Sequence, residues 1–140
     1  MSNQVLLNLQ KQGHRLTPVR KFIVGFLATH KKPFDAATLQ TKLEKAVKKV
    51  NKTTVYREIE FLLSKGLIKE VSFGDGKMRY EIADLPHHHH LMCLDCKTVE
   101  DVVLKDELKS IEKKISKNTK FKIKRHALEF FGLCAQCANN

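Results

Sequence analysis

All four cysteines of this chain fall into two C-x-x-C pairs, Cys93-Leu-Asp-Cys96 and Cys134-Ala-Gln-Cys137, and four consecutive histidines, His87 to His90, stand directly before the first pair. Thiolates two residues apart can turn toward one ion, and two such pairs complete the tetrahedral sulfur set that Zn²⁺ takes in a closed structural site. Imidazoles suit a second, more exchangeable divalent ion. The chain therefore reads as carrying a metal staple and, beside it, a metal sensor. The histidine run is internal and leads into a cysteine motif, unlike a terminal expression tag. In an extended strand successive side chains alternate, so His88 and His90 face one way and His87 and His89 the other. That divides the run between two sites.

These ligands need a scaffold, and 140 residues with 42% apolar content are enough for one ordinary domain or two small ones. Small halves are individually marginal. A zinc clamp remedies this, because roughly 10 to 16 kcal/mol of binding free energy at a structural site becomes folding free energy. The sequence has no apolar run of about 18 residues and no basic-plus-hydrophobic leader, so the expectation is no membrane and a cytoplasmic location. In that compartment cysteines stay reduced, which favours metal ligation over disulfides. The net charge of +11 is uneven: residues 1–85 hold 16 Lys and Arg against 8 Asp and Glu, and residues 86–140 hold 10 against 7. The front half is the basic half, and such an excess attracts a polyanion, nucleic acid first. A solvated lysine surface is the plain alternative.

The pattern predicts a helix over 2–12 closed by Gly13, a second opening at Thr17-Pro18 and running to about Thr29, and a third capped by Asp35 through Leu39, Leu43 and Val47. The basic stretch Lys48 to Lys52 leads to a fourth helix capped by Thr53 or its neighbour. That helix buries Val55, Ile59, Leu62 and Leu63 while Tyr56 and Arg57 point elsewhere. Two β-prone runs, 67–73 and 77–82, surround Gly74-Asp75-Gly76 and read as a hairpin. Helices followed by a two-stranded wing make a winged helix, whose last helix before the wing enters the DNA major groove. Beyond Pro86 strands are expected over 87–93 and 98–103, then a helix with Leu108, Ile111 and Ile115 at i, i+3 and i+7, then one long or bent strand over 120–133. The 37 residues between Cys96 and Cys134 exceed a simple zinc ribbon, so the zinc ties the C-terminal strand back to the start of this unit.

Several pieces in this order are specific together: Arg15-Leu-Thr-Pro-Val-Arg20, Thr54-Val-Tyr-Arg57, Arg79-Tyr-Glu81, the run from His87 to Cys96, and His126 through Phe131 to Cys134 and Cys137. With them the chain resembles the ferric uptake regulator (Fur) superfamily of metal-dependent bacterial repressors over nearly its whole length. The resemblance implies an α+β architecture: a winged-helix DNA-binding domain over 1–83, a hinge at 84–86 and a dimerisation and metal-binding domain over 87–140. It implies a homodimer on an inverted-repeat operator in double-stranded DNA, with no enzymatic activity. It also implies that metal at the hinge enriches the pose that DNA needs. Structural Zn²⁺ falls to Cys93, Cys96, Cys134 and Cys137. The regulatory ion, Fe²⁺, Mn²⁺ or Zn²⁺, falls to Glu81, His88, His90 and Asp101.

Two family positions differ here. The histidine that precedes the third helix in relatives is Pro33, with His30 three residues earlier. A second site would use His87, His89 and His126 with a glutamate from the following helix, but ungapped counting puts Leu108 there. A one-residue shift puts Glu107 there and Glu100 at the Asp101 position. For DNA the resemblance and helix geometry point to Tyr56 and Arg57 as recognition contacts, Thr54 and Lys52 near phosphates, and Arg15 before the second helix. Arg20 reads as a phosphate contact or an ordinary helix charge. Glu81 leans the sensed metal toward iron, with zinc-, manganese- and peroxide-responsive relatives as alternatives. Two rivals come from other classes. A metal-dependent hydrolase lacks support, since there is no Gly-rich phosphate loop, no H-E-x-x-H and no deaminase motif. A zinc-clamped RNA-binding module would bind RNA without regard to the second metal.

Overall fold

Capping residues set the helices of the first unit. Thr17 accepts the Arg20 N–H at 3.1 Å and Pro18 opens the first turn of α2 (Pro18–Thr29), while Asp35 accepts the Thr38 N–H at 2.7 Å ahead of α3 (Ala36–Ala46). The computed structural model describes residues 2–47, 50–104 and 107–139, with backbone alone at Ser2 and Glu107. Lys48 and Lys49 of the basic connection lie outside the described residues. The chain divides into two units, Met1–Leu85 and Pro86–Asn140.

In the first unit α1 (Ser2–Lys11) ends at Gly13, whose φ of +82° is open to glycine without a Cβ penalty. The fourth helix, α4 (Lys52–Ser64), is capped by Asn51 rather than Thr53. Asn51 Oδ1 takes both the Thr54 N–H and the Thr54 hydroxyl at 2.8 Å, whereas Thr53 already lies within the first turn. Asn is among the strongest N-cap residues because its carbonyl reaches the third N–H of the helix. Hairpin strands β1 (Ile68–Ser72) and β2 (Met78–Ile82) follow, antiparallel and in register from Ile68↔Ile82 to Ser72↔Met78. The turn is locked by Asp75, whose two oxygens accept from the Arg79 fork at 2.9 and 2.7 Å. Phe34 and Tyr80 exchange backbone hydrogen bonds at 2.9 and 2.8 Å, tying the start of α3 to the wing. Apolar faces of α2, α3, α4 and the wing meet in one core containing Ile23, Leu39, Leu43, Val55, Ile59 and Leu62. This is a winged helix.

The second unit is a three-stranded sheet in the order β4-β3-β5, with β3 (His89–Cys93) central, antiparallel to β4 (Val99–Val102) and parallel to β5 (Glu129–Gly132). The antiparallel neighbour needs only the short connection 94–98, while the parallel one needs a crossover, which α5 (Glu107–Thr119) supplies. A final turn of helix, α6 (Ala135–Ala138), starts at Cys134. The expected long strand over 120–133 is confined to Glu129–Gly132. A strand needs a neighbour for its backbone groups, and among the described residues β5 has one in β3 while residues 120–128 have none. Lys120, at φ +58°, also breaks extension where that strand would begin. The buried apolar residues of this unit are Met92 and Cys93 among those described, so it has little core of its own.

Candidate metal centres and nucleic-acid face

The second unit gathers sulfur first. Cys93 ends β3, Cys96 follows in the β3–β4 turn, Cys134 caps α6 and Cys137 lies within it, and β5 delivers that helix beside β3. The four Sγ atoms lie within 4.8 Å of one another, and Cys96 Sγ to Cys134 Sγ is 3.7 Å. Sulfurs on a tetrahedron with Zn–S of about 2.3 Å stand about 3.8 Å apart, and a disulfide would need about 2.05 Å. The spacing therefore fits an ion and not a bond. The surroundings favour thiolates: the Cys134 N–H donates to Cys93 Sγ at 3.4 Å and holds that thiol down at about 6. The Thr98 hydroxyl, 3.3 Å from Cys96 Sγ, lowers that thiol as well. Cys137 is pushed up, chiefly because its thiol hydrogen-bonds to Cys134 Sγ and burial also favours the neutral form.

The histidine run alternates as strand geometry requires. His88 and His90 turn one way, their ring centroids 4.9 Å apart. Asp101 pairs with His90 across the β3–β4 ladder, but His90 Nε2 to Asp101 Oδ1 is 3.9 Å, too long for a hydrogen bond. In the first unit Glu81 lies buried on β2, and the Lys69 ammonium approaches its carboxylate to 2.9 Å from the paired position on β1. His30, three residues before Pro33, has partners within its own unit. It stacks on Phe26 with centroids 4.6 Å apart, and burial, then Lys42 and Lys32, lower its pKa.

On the opposite face His87, His89 and His126 bring one ring nitrogen each within 4.8 Å of one another. Burial, with the His87 and His126 rings alongside, lowers the pKa of His89, so its ring is neutral and able to ligate. Its Nε2 is fully buried with no hydrogen-bond partner. An orphaned buried acceptor among converging imidazoles fits a cation. Among the described residues a glutamate does reach this group: Glu112 Oε1 is 2.7 Å from His126 Nδ1, while the side chain of Glu107 lies outside the described residues. Sequence counting missed Glu112 by looking for one position, although residues four apart share a helix face and Glu112 is one turn beyond Leu108.

The basic first unit presents Tyr56 and Arg57 outward near the start of α4, Tyr56 being 42% exposed, with the Lys52 ammonium 5.8 Å over the Tyr56 ring. Arg15 is exposed too. Thr54 spends its hydroxyl on the Asn51 cap. Arg20 has an internal partner: its guanidinium forks onto Glu58 with both bonds at 3.0 Å, donates to the Arg15 carbonyl at 2.8 Å and lies 3.6 Å from the Phe61 ring centre.

A winged helix joined to a small unit that collects sulfur and imidazole donors defines a class of metal-binding regulator. A sequence model of the ferric uptake regulator family matches residues 11–131. The chain belongs to that family. It is 30% identical over 139 residues to the ferric uptake regulation protein of Bacillus subtilis (strain 168), covering 96% of this chain and 93% of that one. It is 28% identical over 135 residues to the peroxide operon regulator of the same strain, covering 96% and 92%. In fold it matches the Helicobacter pylori ferric uptake regulator with a TM-score of 0.82 at 22% identity, over 97% of this chain and 90% of that one.

Proposed function

We propose that this protein is a metal-responsive repressor that binds an inverted-repeat DNA operator as a homodimer and senses a divalent ion, Fe²⁺ by preference. The observation that carries this reading is the pairing of an exposed Tyr56–Arg57 on the helix before the wing with a ligand-rich strand in the next unit. In this reading Tyr56 and Arg57 meet base edges in the major groove, and Arg15, Lys52 and Thr54 meet the backbone. Arg20 acts behind them by shaping the start of α2 against α4.

Cys93, Cys96, Cys134 and Cys137 hold a permanent Zn²⁺. Glu81, His88, His90 and Asp101 hold the exchangeable ion, with Glu81 as the ligand from the winged unit because Pro33 supplies none. An ion gripped by ligands from both units binds one pose better and enriches it, and DNA that needs the same pose gains affinity. Linkage makes the effect mutual: operator DNA tightens the regulatory ion by the same factor. Mixed carboxylate and imidazole donors accept Fe²⁺, Mn²⁺ and Zn²⁺, so geometry and availability choose among them. Names among the relatives include both an iron-uptake and a peroxide-responsive regulator, and Glu81 favours the former reading. Substituting Arg57→Ala tests the DNA half: affinity for a selected inverted-repeat duplex should fall with dimerisation unchanged, and undiminished binding would remove Arg57 from the interface.

A further inference from the structure

The face of β3 that carries His87 and His89 is organised more tightly than three nearby imidazoles require. His126 Nδ1 meets the Glu112 carboxylate at 2.7 Å, and a carboxylate only accepts, so Nδ1 carries a proton and, in the neutral ring, Nε2 holds the lone pair. That Nε2 stands 3.2 Å from His87 Nε2. At this separation either His87 Nε2 carries its proton and donates to His126 Nε2, or both nitrogens face one cation. His89 is arranged in the same way by a different partner. It makes a hydrogen bond to the Leu128 backbone that favours the protonated ring, and because Nε2 has no partner the bond is made by Nδ1. Two rings from two chain segments thus have their outer nitrogen engaged and their inner nitrogen bare.

We infer that Glu112 is the positioning residue of a three-histidine metal site, holding His126 in the tautomer that offers Nε2 to the ion while staying outside the ligand set itself. The inference rests on the reading of His87, His89 and His126 as ligands. With Leu108 where relatives carry a glutamate, the ion is left with three neutral nitrogens and an open position. That donor set suits Zn²⁺ better than the harder Mn²⁺, in contrast to the carboxylate-bearing set around Glu81. The arrangement also ties three segments together, β3 through His89, the 120–128 stretch through His126, and α5 through Glu112. The stretch that lacks strand partners gains its anchor there.

Protein carrying the four-cysteine zinc is titrated with buffered Zn²⁺ while the ring ¹⁵N signals of His126, His87 and His89 are followed by NMR. Before addition, His126 should be the Nδ1–H tautomer, and zinc should bind its Nε2. Glu112→Ala should release the tautomer and weaken zinc at this site about 10- to 100-fold. Glu112→Gln, whose amide oxygen still accepts from Nδ1–H, should recover part of that loss. Wild-type affinity in Glu112→Ala, an Nε2–H tautomer in the unmodified protein, or zinc on Nδ1 would each overturn the assignment. The ligand reading fails separately: it is lost if zinc still moves the His87 and His89 signals at wild-type affinity in His126→Ala.

Discussion

Arg20 and Arg57 have the same side chain and different work. Arg20 has 12% of its side chain exposed, paired to a Glu58 that is 13% exposed. Removing one partner of such a pair leaves the other partly buried without its counter-charge. Arg20→Ala should therefore cost about 1.5 to 3 kcal/mol, the range for a charged hydrogen bond, read as a lower urea midpoint. Arg57→Ala should leave that midpoint unmoved. The role of Arg20 was left open in sequence because one arginine looks like another until its partner, 38 residues away, is placed. At the wing tip, Asp75 is held well below the usual carboxylate range, first by the Arg79 guanidinium. A depressed folded value gives stability that is fully present above the ordinary value of 3.8 and is lost as pH falls from there through the lower folded value. Asp75→Asn should lower the thermal midpoint at pH 7, and the gap to wild type should close below about pH 4. A gap independent of pH would count against the Asp75–Arg79 pair.

Elements were legible where the signal is local and less so where it is not. The Thr17-Pro18 and Asp35 starts, the apolar spacing of Val55, Ile59 and Leu62, and the glycines around Asp75 all specify structure within a few residues, and each element stands where it was expected. The cap of α4 was displaced by two residues because Asn51 and Thr53 are both good caps and only backbone geometry chooses. Asn51→Ala should destabilise the fold by about 1 kcal/mol. Amide exchange at Thr54 and Val55 should quicken with it, and unchanged protection would deny the cap its role. The stretch 120–128 was misread as strand because alternation of lysine with Phe121 and Ile123 has the right period, while strand formation also requires a partner that sequence does not display. The same limit hid Glu112, whose relevance depends on where α5 lies against His126.

At the scale of the molecule, the two units are stabilised differently. The winged unit has its own core, while the second unit exposes Leu91, Ile111, Ile115, Phe121, Phe130 and Phe131, and under the proposed function its stability comes from clamped sulfur and a dimer partner. Cys96→Ser should abolish bound zinc, forfeit a large part of the roughly 10 to 16 kcal/mol that structural zinc supplies, and convert the dimer to monomers with an unfolded second unit in sedimentation and circular dichroism. A zinc-free dimer of wild-type stability would contradict the clamp. The central claim, that a divalent ion switches DNA affinity, is tested by selecting duplexes from a random library with the zinc-clamped protein and measuring affinity without added ion and with Fe²⁺, Mn²⁺ or Zn²⁺. The selected sites should be inverted repeats, and the added ion should tighten binding by about 5- to 150-fold, the range of an ordinary coupling free energy. Equal affinity with and without every ion, or a preference for single-stranded RNA over the selected duplex, would contradict it.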